Sequence, residues 1–342
     1  YRGFKPVLWS TDEKTALADA EVEYQDHRSD TIYTSFKVKS SNLKDLVGSE
    51  IVIWTTTPWT IPANKALAYN EFLDYLILEI NDEGDFKNRK IVITGASKGI
   101  GKAIAKRFAQ DNCEIYLISS NEKTLQDASK EINEGNNSKI HYFATNLKTE
   151  QGCRDVIADI QNNFKDLDTI IFSAGDTKSG DFLSQPINDF FDGFDLKFYS
   201  VVRLLKGLWI NLKQKKGWVV AINGQMANTP NPNFTVGGAV NSALENLCKA
   251  LSKRGIQDNV NVNVIHPGMT STERLISIIE ANANRENISF DQAKENALKA
   301  SGLDRFSTPE EVAELTYFLC KENVRHINGT SITLDGGIKP TI

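Results

Sequence analysis

The stretch KIVITGASKGIGKAIAKRF, residues 90–108, decides the fold. A run of β-formers, Lys90 to Thr94, leads directly into Gly95, Gly99 and Gly101. A helical pattern follows, with Ile104 and Phe108 at i and i+4 on one apolar face. Glycines suit such a place because a tight strand-to-helix turn demands unusual backbone angles and lets an anion approach bare backbone. The first helical turn adds free N–H groups and a partial positive charge. The spacing predicts a phosphate cradle formed by Gly95, Ser97, Lys98, Gly99, Ile100 and Gly101.

Outward from this stretch the same texture repeats. KIVITG, EIYLIS, KIHYFA, DTIIFS, GWVVAI, VNVNVI and SITL are apolar, strand-like runs separated by longer helical stretches. Seven such runs predict βαβ units and an α/β fold, with a Rossmann-type, doubly wound, seven-stranded parallel sheet over residues 90–342. Residues 1–80 read differently: AEVEY, TIYTSFKVKS, EIVIWTTTPWT and DYLILEI alternate with turns and predict a small β-rich N-terminal fragment. Between them NDEGDFKNR, residues 81–89, is polar and reads as a junction.

The totals agree with a folded, soluble, cytoplasmic protein. The 342 residues suffice for about two domains. With 40% hydrophobic and 24% charged residues the chain can bury a core. A net charge of −5 gives no general attraction to DNA or to an anionic membrane. Cys113, Cys153, Cys248 and Cys320 are far apart, which suits a reducing compartment and provides no metal-site spacing. No apolar run approaches the roughly 18–20 residues of a membrane span, and no signal peptide is expected. Tyr1 in place of Met suggests that the natural start lies elsewhere.

Over about residues 85–342 the chain resembles the short-chain dehydrogenase/reductase family. The residues that carry the likeness are TGASKGIG (Thr94 to Gly101), Asn146-Leu147, Ser173-Ala174-Gly175 and HPGMTST (His266 to Thr272). LDRFSTPEEVAELTYFLC and NGTSITLDGG complete it. The resemblance implies a nicotinamide cofactor contacted by the cradle, by Asn146, Leu147, Ser173, Ala174 and Gly175, and by Pro267, Gly268, Thr270 and Thr272. It also implies a small-molecule substrate and a homo-oligomer, dimer or tetramer. The second strand-like run ends in Ser119, Ser120 and Asn121 without a carboxylate, and Lys98 brings a positive charge, so NADP(H) is favoured over NAD(H) despite Glu122 just beyond.

An Asn-Ser-Tyr-Lys machinery is implied as well, and here the chain departs from the pattern. In NPNFTVGGAVNSALENLCKAL, residues 231–251, the helix signature places Asn241 at the lysine and Gly237 at the tyrosine. Gly224 then falls at the serine and Lys197 at the asparagine. A divergent branch of the family shows the same G-x-x-x-N-x-A-L substitution. Lys197 is the remaining ionisable candidate: partly buried beside the site its pKa would fall and it could act as an acid, while the other reading is a stem lying along the helix with the amine in water. Asn241 could still hydrogen-bond the cofactor's ribose. Tyr199 is expected to pack in the core, and His266 to be satisfied by backbone. Leu275, Ile278 and Ile279 would line an apolar pocket or pack in a core. YTSFK (Tyr33 to Lys37) and YFLCK (Tyr317 to Lys321) match Y-x-x-x-K in spelling only: the first precedes the domain and the second lies on a late helix.

Residues 1–80 resemble part of isoleucyl-tRNA synthetase, through GFKPVLWSTDEKTALADAEVEY and the threonine-rich IVIWTTTPWTIPANKALA. In that family such threonines help enclose a mischarged ester, and Thr55, Thr56 and Thr57 are the matching positions. The sequences that handle ATP and the later half of the editing domain do not follow, so neither ligase activity nor tRNA binding is expected. A fragment of this kind joined to a reductase suggests a chimeric or misassembled reading frame, with a real fusion as the alternative. The reading is an NADP(H)-dependent oxidoreductase with non-standard catalytic groups and no metal. A non-catalytic cofactor-binding protein is the alternative, and a remnant editing module the third.

Overall fold

The computed structural model describes residues 8–10, 14–17, 32–42, 46–55, 86–136 and 138–339. The chain divides into two compact units, Tyr1–Glu79 and Ile80–Ile342.

In the first unit β1 (Leu8–Ser10) pairs antiparallel with β2 (Thr15–Leu17). Likewise β3 (Ile32–Lys37) pairs antiparallel with β4 (Glu50–Thr55), Tyr33 opposite Trp54 and Lys37 opposite Glu50. The expected strands over 31–40 and 50–60 correspond to β3 and β4. AEVEY, DYLILEI, Thr56 and Thr57 lie outside the described residues. β1 and β2, three residues each, are too short to show a period.

The second unit holds a seven-stranded parallel sheet. In chain order its strands are β5 (Lys90–Thr94), β6 (Glu114–Ser119), β7 (Lys139–Ala144), β8 (Thr169–Phe172), β9 (Trp218–Ile222), β10 (Asn261–Pro267) and β11 (Ser331–Leu334). Their order across the sheet is β11-β10-β9-β8-β5-β6-β7. All seven strand-like runs of the sequence are therefore strands. The chain steps outward from β5 to β7, then returns to the other side of β5 at β8, which opens a crevice at the carboxyl ends of β5 and β8.

The pleat sends alternate residues to opposite faces. Ile91 and Ile93 meet α1 (Gly99–Ala109), α2 (Glu122–Asn133) and α9 (Pro309–Leu319) through Ile104, Phe108, Leu125 and Val312. Val92 belongs to the other layer, with α3 (Glu150–Asn163), α5 (Ser200–Lys215) and α6 (Thr235–Asp258) through Val156, Leu204, Leu208 and Leu244. Helices on both faces explain why the central strands read as continuous apolar runs. A satellite cluster joins α7 (Glu273–Glu286) and α8 (Phe290–Ser301) through Ile279, Ala283, Ala293 and Phe306. Leu275 and Ile279 pack there, whereas Ile278 is exposed.

Two expectations need correction. Residues 86–89, read as polar junction, are part of the α/β unit. Phe86 is wholly buried, edge-on to Phe108 at 4.8 Å and 4.7 Å from Tyr317. A single aromatic inside a polar run is decided by long-range packing, which local composition does not register. Tyr199 is not core: it is 47% exposed, edge-on to Phe198 at 5.3 Å. The cause is a π turn, Asp195–Tyr199, between α4 (Ile187–Phe194) and α5. Its extra residue breaks the 3.6-residue period from which the face was judged.

Among the described residues no helix is long and apolar enough to cross a membrane.

Candidate functional site

A cleft of about 480 Å³ opens at the crevice beside β5 and β8. Gly95, Ser97, Lys98, Gly99, Ile100 and Gly101 form one wall. Two of the glycines are sterically required. Gly95 has φ +67, and a Cβ there would stand 2.8 Å from Ala174 Cα. A Cβ on Gly101 would stand 2.3 Å from the Gly95 carbonyl oxygen. Thr94 Oγ1 accepts the N–H groups of Ser173 and Ala174, 3.2 Å each, and so ties the end of β5 to that of β8.

The N-terminus of α1 differs from those of α2, α3, α7, α8 and α9. Those five are capped by the side chains of Asn121, Thr149, Thr272, Ser289 and Thr308. At α1, Lys98 gives no side-chain cap, which leaves first-turn N–H groups for an anion in the cleft. Ser119 and Ser120 line the cleft at the end of β6, and Ser97 Oγ lies 3.0 Å from Ser119 Oγ. Asn121 is turned away, its Oδ1 accepting from Thr124 N at 3.0 Å. Lys98 is largely exposed and 3.7 Å from Glu273 across the mouth.

At the other end lies Lys197, carried inward by the π turn. Its stem packs over Gly175, where a Cβ would be 3.3 Å from Lys197 Cδ. Lys197 Nζ donates to Asn241 Oδ1 at 2.7 Å. The residue touches solvent through the cleft, but its ammonium is enclosed. Burial, with a smaller push from Arg274, lowers the pKa from 10.5 to about 7. Asn241 is fixed in turn: its Nδ2 donates to Gly224 O at 3.4 Å, and Asn223 Nδ2 donates to its carbonyl at 2.8 Å. Buried His266 sits beneath, with Nδ1 2.8 Å from Gly224 O and Nε2 3.3 Å from Glu245. It is thus satisfied by backbone on one side and faces a carboxylate on the other.

Gly224 and Gly237 are empty of side chain for steric reasons. A Cβ on Gly224 would stand 2.7 Å from Asn241 Nδ2. At Gly237 it would stand 1.9 Å from Phe234 Cε1, so the Phe234 ring fills the space in which a side chain at 237 would begin.

Asn146, Leu147, Ser173, Ala174, Gly175 and Thr272, named from sequence, line the same cleft. Asn241 stands behind Lys197. Pro267, Gly268 and Thr270 lie outside the lining; Gly268 packs on Asp335, and Thr270 Oγ1 is 2.9 Å from Ser307 Oγ. Sequence reasoning missed Thr145, Lys148, Asp176, Asn223 and Arg274, all of which line the cleft. Arg274, two residues beyond the Thr272 cap, is the one that the family-like HPGMTST string could have flagged. Tyr317, on α9, is buried against Phe86 and Asp111, away from the cleft.

Comparison with known proteins agrees with the fold of the second unit. Residues 95–339 match the family described as Enoyl-(Acyl carrier protein) reductase. L-sorbose reductase from Gluconobacter frateurii, solved with NADPH and L-sorbose, superposes with a TM-score of 0.73. It is 25% identical, and the match covers 76% of this chain and 100% of that one. An NADPH-dependent reductase involved in bacilysin biosynthesis has a TM-score of 0.70 and 25% identity, with coverage of 75% and 100%. The N-terminal region matches another kind of protein: the isoleucine–tRNA ligase of Pelagibacter ubique is 77% identical over 96 residues. That is 28% of this chain and 11% of the ligase, so the chain spans about a tenth of the curated relatives it matches.

Proposed function

The chain belongs to the short-chain dehydrogenase/reductase family through residues 95–339, and we propose that this part is an NADP(H)-dependent oxidoreductase interconverting a carbonyl compound and its alcohol. The observation that carries the reading is one cleft holding an uncapped helix N-terminus at one end and the Lys197–Asn241 pair at the other. The donor set suits a dinucleotide: first-turn N–H groups for the pyrophosphate, and Ser97, Lys98, Ser119 and Ser120 for the adenosine ribose and its phosphate. A nicotinamide bound in this cleft would supply the hydride chemistry at the substrate carbon.

Lys197 supplies the proton. As an ammonium it donates to the carbonyl oxygen while the carbon is reduced; as an amine it accepts that proton in the reverse direction. Asn241 holds Nζ in place, and Gly224 is small because Asn241 needs the room. This replaces a tyrosine acid, for which the Phe234 ring leaves no space at Gly237.

The four free, buried cysteines support a reducing, cytoplasmic setting. Exposed Phe182, Leu183, Ile187 and Phe191 support self-association as a dimer or tetramer. We assign neither aminoacylation nor tRNA binding to the first unit, which over about residues 1–80 resembles a fragment of a synthetase editing domain.

Titration of the full chain with NADPH, followed by addition of ketones and aldehydes, tests the reading. Binding with carbonyl-dependent oxidation, lost in Lys197→Met while binding persists, is the expected result. Binding without turnover on any carbonyl would favour a cofactor-binding protein without redox activity, and failure of the folded chain to bind NADPH or NADH would overturn both.

A further inference from the structure

The two ends of the cleft are held by neighbouring residues that point opposite ways. Thr272 and Glu273 serve the phosphate end: Thr272 Cγ2 lies 3.4 Å from where a Cβ on Gly99 would be, and Glu273 reaches Lys98. Arg274 turns toward β8 instead. Its Nη1 donates to Gly175 O at 3.3 Å and its Nη2 to Thr177 O at 2.8 Å. Gly175 is also the residue over which the Lys197 stem packs, so the two cations flank a single glycine.

Neither cation has an acid of its own. Lys197 is bonded to the neutral Asn241, and among the described residues no carboxylate lies within ion-pair distance of Arg274. Of the two lining carboxylates, Glu273 is committed to Lys98, and Asp176 makes no ion pair among the described residues. Two like charges beside each other in a partly enclosed cleft are unfavourable, and the pKa of Lys197, lowered mainly by burial and further by Arg274, is one response. An anionic group on the bound substrate is the other. Arg274 has the means to bind it, because two main-chain carbonyls orient the guanidinium and use only part of its five N–H donors.

We infer that the substrate is an oxo acid, whose carboxylate is bound by Arg274 while its carbonyl oxygen faces Lys197. The inference rests on the oxidoreductase reading above and narrows its substrate class. Arg274 is a specificity residue in this scheme; it does not itself carry the proton, although its charge helps lower the Lys197 pKa.

The test uses the full chain loaded with NADP+, with straight-chain 2-oxo and 3-oxo acids of four to ten carbons as probes beside their methyl esters. Calorimetry gives dissociation constants, and NADPH oxidation gives kcat and KM. At least one acid is expected to bind about tenfold or more tightly than its ester. Arg274→Gln should erase that difference through KM while NADPH is still bound, and Arg274→Lys should retain part of it. The Lys197 limb of the pH profile should move upward in Arg274→Gln, because Arg274 helps lower that pKa. Equal affinity for every acid and ester, or no binding of any acid by NADPH-competent protein, overturns the inference. So does an Arg274→Gln protein whose main defect is NADPH affinity, since Arg274 would then serve the cofactor. Wild-type protein that does not bind NADPH marks failure of the underlying oxidoreductase reading.

Discussion

Lys197 Nζ stands 2.7 Å from Asn241 Oδ1, joining a π turn to the long helix α6 across the wall of the cleft. On the register implied by the family pattern, these positions belong to an asparagine and a lysine respectively. On that register the two residue types have exchanged places.

On the proposed mechanism this arrangement makes the activity pH-dependent. Burial lowers the Lys197 pKa to about 7, so on that mechanism kcat/KM for carbonyl reduction should fall as pH rises through about 7, and that for alcohol oxidation should rise. Profiles of kcat/KM in both directions check this. Lys197→Met should lower both rates by about 10²–10⁴-fold and remove the limb. Stability has its own sign. Between about 7 and 10.5 the unfolded chain binds the proton that the folded protein does not, so this group makes folding more favourable as pH rises across that window. Denaturant midpoints at pH 7 and pH 9, wild type against Lys197→Met, isolate the effect.

Asn241→Lys alone should be damaging. It would set a second ammonium beside Lys197 with no acid to balance it, at a cost of about 3–5 kcal/mol. The double variant Lys197→Asn/Asn241→Lys restores one cation and one amide, and should regain most of the lost stability. A double-mutant cycle on unfolding free energies measures the coupling; additive losses would show that the pair is not a unit.

Gly237→Tyr should not create a working tyrosine acid. The new Cβ would overlap the Phe234 ring, so the substitution should destabilise by about 1–3 kcal/mol or more. Adding Phe234→Ala should relieve the overlap. Thermal melts of the two single variants and the double variant decide it.

Lys98→Ala tests the cofactor preference. Losing a positive charge at the mouth of the phosphate cradle should weaken NADPH about tenfold and NADH much less, with a smaller salt dependence for NADPH. Equal weakening of both would assign Lys98 to the shared pyrophosphate.

Phe86→Ala should cost about 3–5 kcal/mol, because the wholly buried ring is gripped between Phe108 and Tyr317. Urea unfolding measures the loss. Protein truncated to begin at Lys90 should show a similar deficit.

The seven strands of the parallel sheet were legible in the sequence because burial on both faces makes each a continuous apolar run, and Gly95, Gly99 and Gly101 were legible because a strand-to-helix turn leaves few alternatives. Lys197 could be named, since the likeness to a known family fixed its register. Its environment could not. Whether its amine meets water, a carboxylate or the Asn241 amide depends on a π turn with no local signature and on a helix 44 residues further along. Tyr199 was misplaced for the same reason, and Phe86 because its partners lie on α1 and α9. Local chemistry decided which elements form and where an anion can sit. Only the tertiary structure decided which cations meet no carboxylate among the described residues, because charge balance in a cleft is a property of all the walls together.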